Sequence, residues 1–222
     1  MMLDSVLVLF CKRPALGFGK QRLAADLGEQ AAYEIAVGLL GCALEDLACW
    51  EGPVVISPSA VSEKVWAESL LHRERVSVIP QAEGNLGERI MQVDRELRDC
   101  GWERLLIIGS DAPEMTPSVL READRMLAVS DVVLSEAEDG GVSLMAARKA
   151  WPQIAGLPWS TSQLGDSLEK VCADAAQSVR WSKPCSDVDT VDDLKRISRS
   201  LVQDTRPARQ DLLQVIGRWV QV

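Results

Sequence analysis

The chain reads as a single α/β domain on a mostly parallel central sheet flanked by helices, and three observations point there. Short apolar runs alternate with longer helical patterns along its length. Residues 6–10 (VLVLF) and 105–108 (LLII) lack polar alternation, the mark of strands buried on both faces. Polar, glycine-rich segments follow these runs, where ligands gather in open α/β sheets.

The first strand covers 6–10, and a helix over 29–49 follows from the spacing of Ala32, Ile35, Ala36, Leu39 and Leu40. Residues 53–56 form the second strand, 62–71 a helix, and 76–79 the third strand. A helix over 86–100 carries Ile90, Met91, Val93 and Leu97. The fourth strand, 105–108, belongs mid-sheet. Thr116 then caps a helix whose first turn holds Pro117. Strands at 131–134 and 142–146 flank a polar turn. A helix over 161–176, a strand over 178–181 and a helix over 190–201 follow. The last helix, 211–220, is amphipathic through Leu212, Val215, Ile216 and Trp219. This divides the chain into a body over 1–203 and a C-terminal helical extension over 204–222. That helix can pack on its own domain or on a second subunit, which leaves room for a homodimer.

A 222-residue chain with 47% hydrophobic and 26% charged residues has enough apolar surface for a sizeable core. Its net charge of -9 argues against nucleic acid or an anionic membrane as partner. No apolar run approaches a membrane-spanning length, and the opening residues lack a secretory n-region, so the cytoplasm is expected. Six cysteines without a C-x-x-C pair, and a single histidine, speak against a zinc site and for reduced core thiols.

Against this acidic background, residues 5–25 carry Lys12, Arg13, Lys20 and Arg22 and no acid. With Pro14, Gly17 and Gly19 they form a loop after the first strand that suits a phosphate group. The loop matches neither the dinucleotide fingerprint nor the P-loop, and a solvated basic turn would explain the same residues. Asp111, in Gly109-Ser110-Asp111-Ala112-Pro113 just beyond the fourth strand, is placed to ligate Mg²⁺ or Mn²⁺. Asp189, in Asp187-Val188-Asp189-Thr190, is the second candidate ligand. Each could instead be a residue of a helix start. A metal bridging Asp111, Asp189 and a diphosphate would stabilise a leaving group.

Residues 10–23, from Phe10-Cys11-Lys12-Arg13-Pro14 to Gly19-Lys20-Gln21-Arg22-Leu23, resemble the A-K-x-P-x-x-G-x-x-K-T-R-L opening of the DUF2064 family. The resemblance continues through Gly84-Asn85-Leu86-Gly87-Glu88-Arg89, Gly109-Ser110-Asp111-Ala112-Pro113, Glu138-Asp139-Gly140-Gly141, Pro158-Trp159-Ser160-Thr161 and Asp187-Val188-Asp189-Thr190. Members are described as glycosyltransferase-like, or as selenodomain-associated transferase 1. The family is similar to nucleotide-diphospho-sugar transferases of the GT-A (Rossmann-like) fold, to guanylyltransferases of cofactor F420 synthesis and to molybdopterin-type nucleotidyltransferases.

The resemblance implies a metal-dependent transferase using a nucleotide-activated sugar. Lys12, Arg13, Gly17, Lys20 and Arg22 would serve the phosphates, and Gly84, Asn85, Gly87, Arg89 and Ser110 the rest of the nucleotide. Asp139 would orient or deprotonate an acceptor hydroxyl, with Lys20 assisting catalysis. A hairpin turn explains Asp139-Gly140-Gly141 equally. The same residues would suit nucleotidyl transfer with release of pyrophosphate, or nucleotide binding without turnover. Two departures stand out. The family's Thr after the loop lysine is Gln21, and its D-G-G-Y-Y stretch becomes Asp139-Gly140-Gly141-Val142-Ser143. The lost aromatic pair points to an altered acceptor side or to lost activity.

Overall fold

Strand β1 (Ser5–Cys11) lies in the interior of the sheet in the computed structural model, which describes residues 5–220. Leu7 and Leu9 face one side of the sheet and Val6 and Val8 the other, all fully buried. A strand covered on both faces gains nothing from polar alternation, hence its continuous apolar run. β2 (Val54–Pro58) and β4 (Arg104–Gly109) flank β1 in parallel, and β3 (Val76–Val78) extends the sheet beyond β2. Past β4 come β6 (Val142–Ala147), β5 (Val132–Glu136) and β7 (Val179–Trp181), giving the order β3-β2-β1-β4-β6-β5-β7. β4 lies inside the sheet, as its apolar run requires. Among the described strands β6 alone runs against the others. The 137–141 turn joining it to β5 is too short for the crossover a parallel pair needs.

Helices α2 (Glu29–Ala48) and α5 (Pro117–Met126) cover one face through Leu40, Ala43 and Leu47 and through Val119, Leu120 and Ala123. Helices α4 (Leu86–Asp99) and α6 (Leu164–Asp174) cover the other through Ile90, Val93 and Leu97 and through Leu164 and Leu168. Thr116 caps α5 by accepting from the Val119 N–H at 3.2 Å, with Pro117 in the first turn, as read from sequence.

Two helices are shorter than their periodicity suggests. The 62–71 segment divides into a 3-10 turn, Val61–Glu63, and α3 (Lys64–Glu68). It ends there because Leu70 and Leu71 turn in against the core. The 161–176 segment starts its helix only at Leu164, since Thr161 Oγ1 donates to the Pro158 carbonyl and holds a turn.

A third apolar cluster joins α2, α1 (Gln21–Leu27), α7 (Val191–Ser200) and α8 (Pro207–Trp219) through Leu23, Ile35, Leu39, Leu194, Ile197, Leu212 and Ile216. The C-terminal helix therefore packs on α2. Its Arg209 is fully buried and pairs with Asp46 and Glu45 of α2. The same guanidinium donates to the carbonyls of Cys42, Pro113 and Met115 at 2.6, 3.2 and 2.8 Å. One side chain thus ties α8 and α2 to the loop after β4. Among the described residues no helix is long and apolar enough to cross a membrane.

Candidate functional site

A cleft of about 740 Å³ opens at the carboxyl ends of β1, β2, β3 and β4, a volume suited to a nucleotide-sized ligand. The basic loop forms one wall. It leaves β1 at Lys12, folds back through a bridge between Ala15 and Phe18, and reaches α1 at Lys20. Gly17 and Gly19 have φ of 77° and 74°, and Lys20 itself is left-handed at 44°. A non-glycine residue in that region is strained, and here the strain aims the side chain inward. Gln21, where the family has Thr, donates from Nε2 to the carbonyls of Gly17 and Gly19 and braces the loop.

The Lys20 ammonium donates to Asp111 Oδ2 at 2.8 Å, to Asp189 Oδ1 at 3.0 Å and to the Val188 carbonyl at 2.5 Å. Its three protons are thus all used. Burial works against this charge, but Asp111 and Asp189 outweigh it and hold the Lys20 pKa above its ordinary value. Three residues separated by up to 169 positions meet at one point.

Two backbone devices hold the carboxylates there. The Val188 N–H donates to the Asp111 carbonyl at 3.0 Å, while the Val188 side chain is fully buried in the third cluster. Ser110 Oγ donates to Asp111 Oδ1 at 3.0 Å. Asp111 lies well before the start of α5 at Pro117, so it is not a helix-start residue. At α7, Thr190 and Asp193 form the capping box between them, which leaves the Asp189 carboxylate to Lys20.

The structure sorts the other sequence-derived residues. Lys12, Arg13, Arg89 and Ser110 line the cleft with Lys20, Asp111 and Asp189. Arg13 lies over the Trp66 ring at 6.0 Å. Arg22 is exposed on α1 and is not among the lining residues, because two residues along the first helical turn carry it to the side away from Lys20. Gly17 shapes the loop without lining the cleft.

Gly84, Asn85 and Gly87 do local structural work. Asn85 and Glu88 cap α4 reciprocally, and Asn85 Nδ2 donates to the Ala155 carbonyl at 3.0 Å. A Cβ on Gly87 would come within 2.5 Å of Trp159 Nε1 and 2.7 Å of the Ile154 carbonyl, so glycine permits that close packing. Arg89 is fixed by donating to the Gly84 carbonyl at 2.8 Å. Asp139 sits in the β5–β6 turn, exposed, with Oδ1 accepting from the Gly141 N–H at 2.8 Å. It does not line the cleft, but its neighbour Asp187 does. Burial first, then the charge of Asp139, raises the Asp187 pKa.

Reading the sequence missed Ser59, Glu63, Gln81 and Asp187 as cleft residues. Asp187 stood within a quoted motif, but the other three carry no local signal. Val142 and Ser143, where the family has an aromatic pair, do line the cleft and so widen it on the β6 side. Cys11 also lines it, but burial above all pushes its thiol up to about 12, which disqualifies it as a nucleophile.

Two carboxylates and a main-chain carbonyl meeting one cation form an all-oxygen donor set, which suits Mg²⁺ or Mn²⁺. Among the described residues there is no group of three or more His, Cys, Asp or Glu able to hold a metal unaided. Any metal there would need further oxygens from a ligand.

A family model described as an uncharacterized protein conserved in bacteria (DUF2064) matches residues 42–161. No curated protein matches the chain. Among solved structures, a candidate nucleotide-diphospho-sugar transferase of Desulfovibrio desulfuricans G20 superposes with a TM-score of 0.86 at 23% identity, covering 98% of this chain and 99% of that one. A cytidylyltransferase of Leptospira borgpetersenii superposes at 0.60 with 14% identity, over 100% and 99% of the two chains. The 4-diphosphocytidyl-2C-methyl-D-erythritol synthase of Anaerococcus prevotii does so at 0.59 with 9% identity, over 90% and 97%. At these identities the likeness is one of fold.

Proposed function

The chain belongs to the DUF2064 family, and we propose that it is a metal-dependent transferase acting on a nucleotide-activated sugar. The observation that carries this reading is the meeting of Lys20 with Asp111 and Asp189 in a cleft also lined by Lys12, Arg13 and Arg89. Lys12, Arg13, Lys20 and Arg89 offer a diphosphate cationic partners, and a divalent ion would offset the carboxylates of Glu63, Asp111, Asp187 and Asp189 that line the same cleft. The nucleotide-sugar and cytidylyl substrates named for proteins of this fold agree with that choice.

Asp111 and Asp189, with the Val188 carbonyl, would hold Mg²⁺ or Mn²⁺. When bound, such an ion would neutralise diphosphate oxygens and stabilise the leaving group. Lys20 occupies that point in the absence of ligand, and with nucleotide bound it turns to the phosphates. Lys12, Arg13 and Arg89 bind phosphate from the loop and from α4. The acceptor enters on the β6 side, past Val142 and Ser143. Its hydroxyl oxygen bonds to the anomeric carbon as the sugar–phosphate C–O bond breaks, and the nucleoside diphosphate leaves with the electron pair. The hydroxyl proton passes to Asp187, which lines the cleft and whose pKa burial and the charge of Asp139 raise.

The test is to offer nucleotide sugars and nucleoside triphosphates separately, each with Mn²⁺, and to assay products. Free nucleoside diphosphate from a sugar donor is the expected result. Pyrophosphate from a triphosphate would favour nucleotidyl transfer by the same residues. Neither product, with nucleotide still bound, would leave a binding protein without turnover.

A further inference from the structure

At the β2–β3 end of the cleft, Ser59, Glu63 and Gln81 face the cavity, and the proposed transfer uses none of them. Gln81 is 6% exposed. Its backbone N–H donates to the Pro58 carbonyl at 2.9 Å, and its side-chain Nε2 donates to the Ser57 carbonyl at 2.7 Å. A carbonyl can only accept, so this bond assigns the nitrogen to the β2 side and leaves Oε1 as the free end. Among the described residues no donor is bonded to Oε1, and that atom is not one of the sealed, unpartnered polar atoms of the core. It is therefore an acceptor open to the cleft, on a side chain with almost no freedom to turn.

Glu63 closes the 3-10 turn beside it. Its Oε2 accepts from Ser59 Oγ at 3.0 Å, which leaves Oε1 available. Its charge, after burial, helps raise the Cys11 thiol, so the carboxylate lies near the end of β1. This stretch of wall offers two hydrogen-bond acceptors, Oε1 of Gln81 and Oε1 of Glu63, while Lys12 and Arg13 line the same cavity as donors.

We propose that Gln81 and Glu63 read the edge of the nucleobase and select guanine. The inference rests on the nucleotide reading above and extends it to the base. Guanine presents two adjacent donors, N1–H and the 2-amino group, to such a pair of acceptors. Uracil presents two carbonyls around a single N–H and would set acceptor against acceptor. A buried polar site rejects a base that leaves its groups unpaired.

Calorimetric titration with GDP, IDP, CDP and UDP, each with Mn²⁺, tests this. IDP differs from GDP only by the missing 2-amino group. GDP should bind tightest, with IDP and UDP each weaker by roughly tenfold or more, the scale of one charge-assisted hydrogen bond. Glu63→Ala should close the gap between GDP and IDP, and Gln81→Met should lower GDP affinity more than UDP affinity. Glu63 is half-buried, so its variant remains decisive if Gln81→Met fails to fold. Equal affinity for GDP, IDP and UDP, or a Glu63→Ala protein that keeps the GDP–IDP gap, overturns the base assignment while nucleotide binding stands. Absence of binding by all four overturns both.

Discussion

Lys20→Met removes the cation that holds two carboxylates together, so it isolates the competition between this ammonium and a metal. Asp111 Oδ2 and Asp189 Oδ1 lie 2.8 and 3.0 Å from Nζ. They are therefore no more than ~6 Å apart, and without Lys20 they repel by about 0.7–3 kcal/mol for an effective dielectric between ~80 and ~20. The carboxylates are 43% and 48% exposed, which places the value near the lower end, about 1 kcal/mol. A divalent ion relieves that repulsion in the variant but must displace Lys20 in the wild type. Mn²⁺ should therefore bind the nucleotide-free variant about five- to tenfold more tightly, because 1.4 kcal/mol is a factor of about ten. Nucleotide should bind the variant less well, for lack of a phosphate contact. The assay follows the signal of free aqueous Mn²⁺ by electron paramagnetic resonance as protein is added. Lys20→Met/Asp111→Asn is the control and should lose the gain. Equal Mn²⁺ affinity in wild type and Lys20→Met would refute the claim that lysine and metal share one place.

Two further predictions concern the scaffold. Arg209→Ala removes one of the two guanidiniums that pair with Asp46, which is 1% exposed, and leaves Arg206 at 2.7 Å as its partner, so the cost should stay below the ~3–5 kcal/mol of a buried charge left with no partner. Urea denaturation should register that loss, and because Arg209 also holds the Pro113 and Met115 carbonyls, nucleotide affinity should fall with it. The second prediction is a pH dependence. The Ser178 N–H, followed by Lys149 and Arg148, holds the Asp131 carboxyl well below the usual carboxylate range. A depressed folded-state pKa adds stability that is full above the unfolded pKa of about 4 and is lost as pH falls toward the folded value. Asp131→Asn should therefore be less stable at neutral pH and show a flatter decline of stability below about pH 4 in acid titrations of unfolding.

The strands were legible because burial on both faces leaves an unbroken apolar run, and 6–10 and 105–108 needed no other clue. Thr116-Pro117 marked a helix start through chemistry that acts over four residues. The basic loop, Asp111 and Asp189 could be singled out because each follows a strand or interrupts the charge balance locally. Local pattern could not tell that Arg22 turns away while Lys20 turns in, since that depends on the left-handed backbone of one residue. Nor could it separate the capping work of Asn85 from the cleft position of Arg89, which lies one helical turn further on. Gln81 and Glu63 carried no signal because their value lies in which hydrogen bond is already taken.

By itself, then, the sequence determined the order of the elements, their burial and the chemical types available at the strand ends, since these depend on neighbours along the chain. The tertiary structure decided which of those groups meet. The parallel crossovers bring β1, β4 and the segment before α7 to one edge, and only there do Lys20, Asp111 and Asp189 become a single site. The reversed β6, the seat of Arg209 beneath the Asp111 loop and the free edge of Gln81 are likewise long-range contacts. Their free energy belongs to the packed chain, and no stretch of it carries them alone.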